Sequence, residues 1–156
     1  MSREIAERLR QLDILPSAQR VAVAEFVLST CTHPGAEEVF RAIQPRVPAI
    51  SLATVYNTLH LLAQKGLLRE LAIAEGKVVF DCMVEPHHHI VDLDTGAIHD
   101  LPWTAVKVSR AQEAAAALGF DVSEYQVVLR GKKSKPAKTP VKAPAGKARK
   151  TRKSGS

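Results

Sequence analysis

The chain has 156 residues, 46% hydrophobic but only 4% aromatic, with a formal net charge of +6. That length holds one ordinary domain or two small ones, whose core aliphatic side chains must fill. No apolar run approaches the roughly 20 residues that span a bilayer, the N-terminus lacks a secretory apolar region, and Cys31 and Cys82 form no paired motif, so a cytoplasmic protein without a disulfide scaffold is expected.

The first half reads as helices. Ile5, Leu9 and Leu12 have helical spacing within residues 3–12. Pro16-Ser17 opens a second helix to about Thr30, with Val21, Ala24 and Leu28 on one face. Ala36, Val39, Phe40 and Ile43 form an i, i+3, i+4, i+7 stripe on a third helix, closed before Pro45 and Pro48. Ser51 caps a fourth helix, buried along Leu52, Val55, Leu59 and Leu62. Its opposite face carries Ala53, Thr54, Asn57, His60 and Gln64, interrupted by Leu61, and Gly66 ends it. Two short strands follow, Leu67–Ile73 and Lys77–Asp81, joined by Glu75-Gly76. Helices followed by a hairpin are the order of a winged helix, whose last helix would enter the major groove of double-stranded DNA. Ser51, Thr54, Tyr56 and Asn57 offer it hydroxyl, amide and phenol groups suited to base edges and phosphates. The competing reading is a helical subdomain whose polar face meets only water.

Further along stands Asp81-Cys-Met-Val-Glu-Pro-His87-His88-His89, with Asp100 eleven residues after His89. Imidazoles and carboxylates are common ligands of iron, manganese and zinc. In a strand His87 and His89 share a face and His88 takes the other. The bland alternative is a polar strand end with solvated histidines. Residues 131–156 carry ten Lys and Arg and no acid, leaving 12 bases against 16 acids in residues 1–130, a body of net charge −4. With Pro136, Pro140 and Pro144, this tail reads as a disordered polycation that attracts nucleic acid without sequence preference; a purely solubilising tail is the alternative.

Several of these segments together, His33-Pro-Gly-Ala-Glu-Glu-Val-Phe, Ile50-Ser-Leu-Ala-Thr-Val-Tyr-Asn-Thr-Leu, Val79-Phe-Asp-Cys, His87-His-His and Gly96-Ala-Ile-His-Asp100, resemble the ferric uptake regulator (Fur) superfamily over about residues 5–130. The resemblance implies an α+β protein and no enzyme: a homodimeric, metal-dependent transcriptional repressor. Its divisions would be a winged-helix DNA-binding domain (1–83), a small α/β metal-sensing and dimerisation domain (84–130) and the basic tail (131–156). The regulatory ligands carried over are His33, Asp81, His87, His89 and Asp100. Asp rather than Glu at position 81 is similar to the peroxide-sensing branch (PerR). Three nitrogens and two carboxylates without a thiolate suit Fe(II) or Mn(II), and Zn(II) can occupy such a site in vitro. The resemblance also implies the signal: with Fe(II), peroxide oxidises a histidine ligand, at the positions of His33 and His87, and the metal and DNA are released. Arg20 and Tyr56 match positions that approach DNA in the family.

One departure bears on stability and signal. The family's Cys-x-x-Cys structural zinc pairs are missing: the first reads Asp92-Leu-Asp-Thr95, and the second would fall where Gly131-Lys-Lys-Ser begins the tail. No structural zinc is expected, and the dimer would hold by the Trp103–Leu118 helix and the Phe120–Leu129 segment. This absence with the His triplet is also similar to the haem-responsive iron regulator branch (Irr), which makes a haem- or iron-responsive regulator the alternative. His88 and His99, on the other face with Glu85 near, would supply a second metal or haem site, or are solvated or hydrogen-bonded. Cys82 reads as a small buried hydrophobe before a thiol sensor. A metal-dependent hydrolase lacks an unliganded general base in this segment, and a DNA-binding module without sensing would be indifferent to chelator.

Overall fold

The computed structural model describes residues 2–30, 32–74 and 77–134. Cys31, Glu75, Gly76 and the basic segment from residue 135 lie outside the described residues. Four helices come first: α1 (Ser2–Gln11), α2 (Ala18–Ser29), α3 (Ala36–Ile43) and α4 (Leu52–Gln64). Their starts follow local chemistry. The Ser17 hydroxyl accepts from Arg20 N–H, the Ser51 hydroxyl accepts from Thr54 N–H, and Gly35 N–H donates to the Glu38 carboxylate at 2.7 Å. Gly66, with φ +72°, takes the left-handed conformation that closes α4.

Leu9, Val23, Val27, Val39, Ile43, Val55, Leu59 and Leu62 build one aliphatic core beneath these helices. The α3 and α4 stripes lie where the periodicity puts them. On α2 the buried residues are Val23, Ala24 and Val27, while Val21 and Leu28 are only half-buried. That helix is apolar nearly all round because α1, α3 and α4 all pack against it, so no single stripe marks its buried face. Leu61 packs at the margin of the same core.

An antiparallel hairpin follows, β1 (Arg69–Ala74) and β2 (Lys77–Asp81), with Leu71 opposite Val79. Leu67 and Leu68, expected as strand, are instead buried in the helical core ahead of it. A second sheet has the order β4-β3-β5, from β3 (His87–Asp92), β4 (Ile98–Pro102) and β5 (Val128–Gly131); β4 runs antiparallel and β5 parallel to β3. The expected Trp103–Leu118 helix is divided. A 3-10 turn spans Trp103–Ala105, and α5 (Ser109–Ala117) starts only after Val106, whose β-branched side chain sits on extended backbone. Of the Phe120–Leu129 segment, only Val128 and Leu129 enter the last strand.

Strand alternation gives β2 two jobs. Phe80 points into the helical core, while Val79 on the opposite face joins Leu71, Ile73 and Val91 in a second apolar cluster between hairpin and sheet. Arg130 donates to the Ile73 carbonyl and Arg69 pairs with Glu124 across the same boundary. These contacts join the two halves of the chain.

Candidate metal centre

Asp81 shares the Val79 face of β2, and His87 and His89 share the Val91 face of β3, so the cluster that joins the two sheets continues directly into a polar one. Asp100 is the cross-strand partner of His89 on β4. His33, between α2 and α3, completes the set with φ +52°, a left-handed backbone uncommon for a non-glycine residue. One ligand atom from each of His33, His87, His89 and Asp100 lies within 4.8 Å of the others. Within the group His33 Nε2 is 2.9 Å from Asp100 Oδ1, His87 Nε2 is 2.9 Å from Asp81 Oδ2, and His87 Nε2 is 2.9 Å from His89 Nε2. Asp81 Oδ1 is 3.8 Å from His33 Nε2 and Asp81 Oδ2 is 3.6 Å from His89 Nε2. The structure therefore brings all five sequence-predicted ligands together.

Three features fit this donor set to a divalent ion. Around an octahedral ion with bonds of about 2.1 Å, neighbouring ligand atoms stand about 3 Å apart, the spacing of the three shortest contacts here. Nε2 of His33 and Oδ2 of Asp81 are buried and, although 2.9 Å from Asp100 and His87, form no aligned hydrogen bond, a deficit that ligation would remove. Burial first, and then the neighbouring His87 and His33, push the pKa of His89 down, against the pull of Asp81 and Asp100; that keeps its imidazole neutral, the form that ligates.

The supports behind the ligands carried no sequence signal. His87 Nδ1 lies 2.8 Å from the Glu85 carbonyl, which can only accept, so Nδ1 carries the proton and Nε2 presents its lone pair. Gln126, just ahead of β5, sets its amide 3.3 Å from His89 Nδ1. As placed, the amide nitrogen faces the ring; a half-turn brings its oxygen there to accept from Nδ1–H and frees Nε2. Asp81 Oδ1 accepts from Met83 N–H at 2.8 Å. Asp100 is the open edge, its side chain 29% exposed where the others are nearly sealed.

The residues expected to meet DNA lie around α4. Tyr56 and Asn57 are exposed, whereas Ser51 and Thr54 share a 2.9 Å hydroxyl contact in the helix cap. Arg20 is on α2, its guanidinium donating to the Leu15 carbonyl at 2.9 Å. Gln19 donates to the Ala49 carbonyl, which places the starts of α2 and α4 side by side.

The family model of ferric uptake regulators matches residues 14–130 of this chain. The chain belongs to the ferric uptake regulator family. It is 30% identical over 129 residues to the peroxide operon regulator of Bacillus subtilis, covering 83% of this chain and 88% of that protein. It is 32% identical over 124 residues to the peroxide-responsive repressor PerR of Staphylococcus aureus, covering 79% and 82%. Its fold also matches the ferric uptake regulator of Pseudomonas aeruginosa with manganese, at 27% identity and a TM-score of 0.64, over 83% of this chain and 97% of that one. The α+β architecture is that of the ferric uptake regulators, and among the described residues no helix is long and apolar enough to cross a membrane.

In this family member the remaining histidines stand apart from the centre. His88 is fully buried on the reverse face of β3, stacked on Trp103 at 4.7 Å and on Tyr125 at 5.7 Å. Its Nδ1 accepts from Val127 N–H at 3.4 Å, and its Nε2 has no hydrogen-bond partner. His99 and Glu85 are exposed, and among the described residues no chelating group of three forms around them. Cys82 is half-buried at the margin of the helical core, with Sγ 3.8 Å from the Thr30 carbonyl.

Proposed function

We propose that this protein is a homodimeric repressor that binds operator DNA when a divalent ion, Fe(II) or Mn(II), sits between His33, Asp81, His87, His89 and Asp100. One observation carries this reading: His33 belongs to the helical half, and His87, His89 and Asp100 belong to the second sheet, yet their ligand atoms converge. An ion held there ties the halves together and selects one orientation of α4 relative to the second sheet. The domain limits that follow are 1–83 and 84–130, with the basic tail after them. The peroxide regulators among its relatives favour peroxide as the signal. Fe(II), unlike Mn(II), supplies the electrons that reduce peroxide. Oxidation of His33 or His87 beside it would remove a ligand and release the clamp.

Tyr56, Asn57, Ser51, Thr54 and Arg20 supply the DNA-facing groups, and α4 enters the major groove. Dimerisation is supported by α5, which buries none of its own residues, and by Leu118 and Phe120, 77% and 68% exposed beside it. An apolar surface of that kind is covered by a second copy in a closed dimer.

A mobility-shift assay with EDTA, with Mn(II), and with Fe(II) plus peroxide tests the proposal. The expected result is binding with either ion and peroxide-induced release only with Fe(II). DNA binding indifferent to chelator would contradict it. The orphan Nε2 of His88 favours a second reading, a haem-responsive regulator, although haem would have to displace the Trp103–Tyr125 stack. Release of DNA by haem, lost in His88→Ala, would select that reading.

A further inference from the structure

A backbone link and then two ring contacts lead from the centre to the exposed face of α4. Phe80 adjoins Asp81 on β2, and its N–H donates to the carbonyl of Pro34, the neighbour of His33, at 3.1 Å. Phe80 is therefore tied along the backbone to one candidate ligand and next to a second, from different segments. Its fully buried ring meets His60 of α4 edge-on, with centroids 5.8 Å apart and planes at 83°. His60 stacks on Tyr56 one turn earlier, at 6.3 Å and 22°, and its Nδ1 stands 2.7 Å from the Glu70 carboxylate on β1. Helical periodicity assigns His60 only to a polar face, so the link to Phe80 and Glu70 emerges from tertiary packing.

We propose that His60 is the positioning residue through which the metal centre sets the orientation of Tyr56. This rests on the reading of the protein as a metal-dependent repressor. Ligation fixes Asp81 and His33, the two anchors of the Phe80 backbone, and close packing leaves the Phe80 ring little freedom to absorb that change. The ring passes it to His60, which Glu70 holds against the wing, and His60 passes it to the exposed Tyr56. The competing reading treats His60–Glu70 as a surface ion pair of little consequence, and under it replacing His60 changes nothing that depends on metal.

The full-length dimer and its His60→Ala and His60→Phe variants separate these readings. For each, operator affinity is measured in Mn(II) and in EDTA, with Mn(II) affinity and Tm of the DNA-free protein alongside. In His60→Ala, Mn(II) affinity and Tm are expected to stay at wild-type values, while the ratio of operator affinities with and without Mn(II) falls about tenfold, within the usual span of allosteric coupling. His60→Phe keeps both ring contacts and restores the ratio to within about threefold of wild type. By linkage, the gain in Mn(II) affinity on adding operator DNA falls by the same factor in His60→Ala. A wild-type ratio in His60→Ala, or a His60→Phe variant as impaired as His60→Ala, overturns the relay. A wild-type protein whose ratio is one overturns the repressor reading itself.

Discussion

A buried polar atom without a hydrogen-bond partner costs about 1–3 kcal/mol, and His33 Nδ1 is such an atom, on a left-handed backbone. Neither feature favours folding, and strain of this kind clusters at ligand-binding sites. In EDTA, His33→Ala is accordingly expected to match or exceed the wild-type melting temperature, while the rise in Tm that Mn(II) gives the wild type disappears. A metal-induced rise as large in the variant would contradict this role. Gln126 acts one step further back. Gln126→Ala is expected to weaken Mn(II) binding about tenfold by calorimetry, as loss of a support behind a ligating histidine does, and an unchanged affinity would dismiss it. The five candidate ligands, which the structure brings close together, were legible because each sits in a recognisable run of residues. Gln126 was not, since it lies 37 positions from His89 in a segment without regular structure. The burial of His88 was equally hidden: alternation gives its face, but Trp103 and Tyr125 arrive from remote parts of the chain.

At the scale of elements the hairpin is the pivot, one face in the helical core and the other in the cluster of Leu71, Ile73, Val79 and Val91. Leu71→Ala is expected to cost about 2–5 kcal/mol in urea unfolding; a loss below half a kcal/mol would show that cluster to be dispensable. The β3–β4 turn contributes a pH dependence. The Asp94 N–H first, and the Thr95 hydroxyl next, hold the Asp92 carboxyl below its ordinary pKa. A depressed folded-state pKa stabilises the fold above the ordinary carboxylate range, and that contribution is lost as pH falls through it. Asp92→Asn is therefore expected to be less stable than wild type at pH 7, the difference shrinking below about pH 4 in EDTA. A pH-independent difference would assign the effect elsewhere. Helices α3 and α4 could be read from a single apolar stripe each. The buried face of α2 could not, because three neighbours cover it, nor could the break before α5, which follows from extended backbone at Pro102 and Val106 rather than from any loss of apolar spacing.

On the scale of the whole molecule, the charge divides more sharply than the fold. Residues 135–156 hold eight Lys and Arg and no acid. At the start of the basic segment expected over 131–156, Gly131 closes β5, and Lys132 and Lys133 pair with Asp94 and Asp92. Truncation after Ser134 rather than after Arg130 thus keeps the sheet intact. It is expected to weaken nonspecific DNA binding and flatten its salt dependence while leaving operator preference in place; a salt slope identical to the full chain would leave the tail without a DNA role. The central claim concerns the clamp. Moving an equilibrium from 1:99 to 99:1 takes about 5.5 kcal/mol of preference for one state, and among the described residues His33 is the one candidate ligand that the segment before α3 contributes. The most direct measurement is operator affinity as Mn(II) is titrated into wild type and His33→Ala, each first checked to be folded. The account expects a steep gain in affinity for the wild type and a flat line at the metal-free value for the variant. A variant that gains affinity with Mn(II) as the wild type does would contradict it.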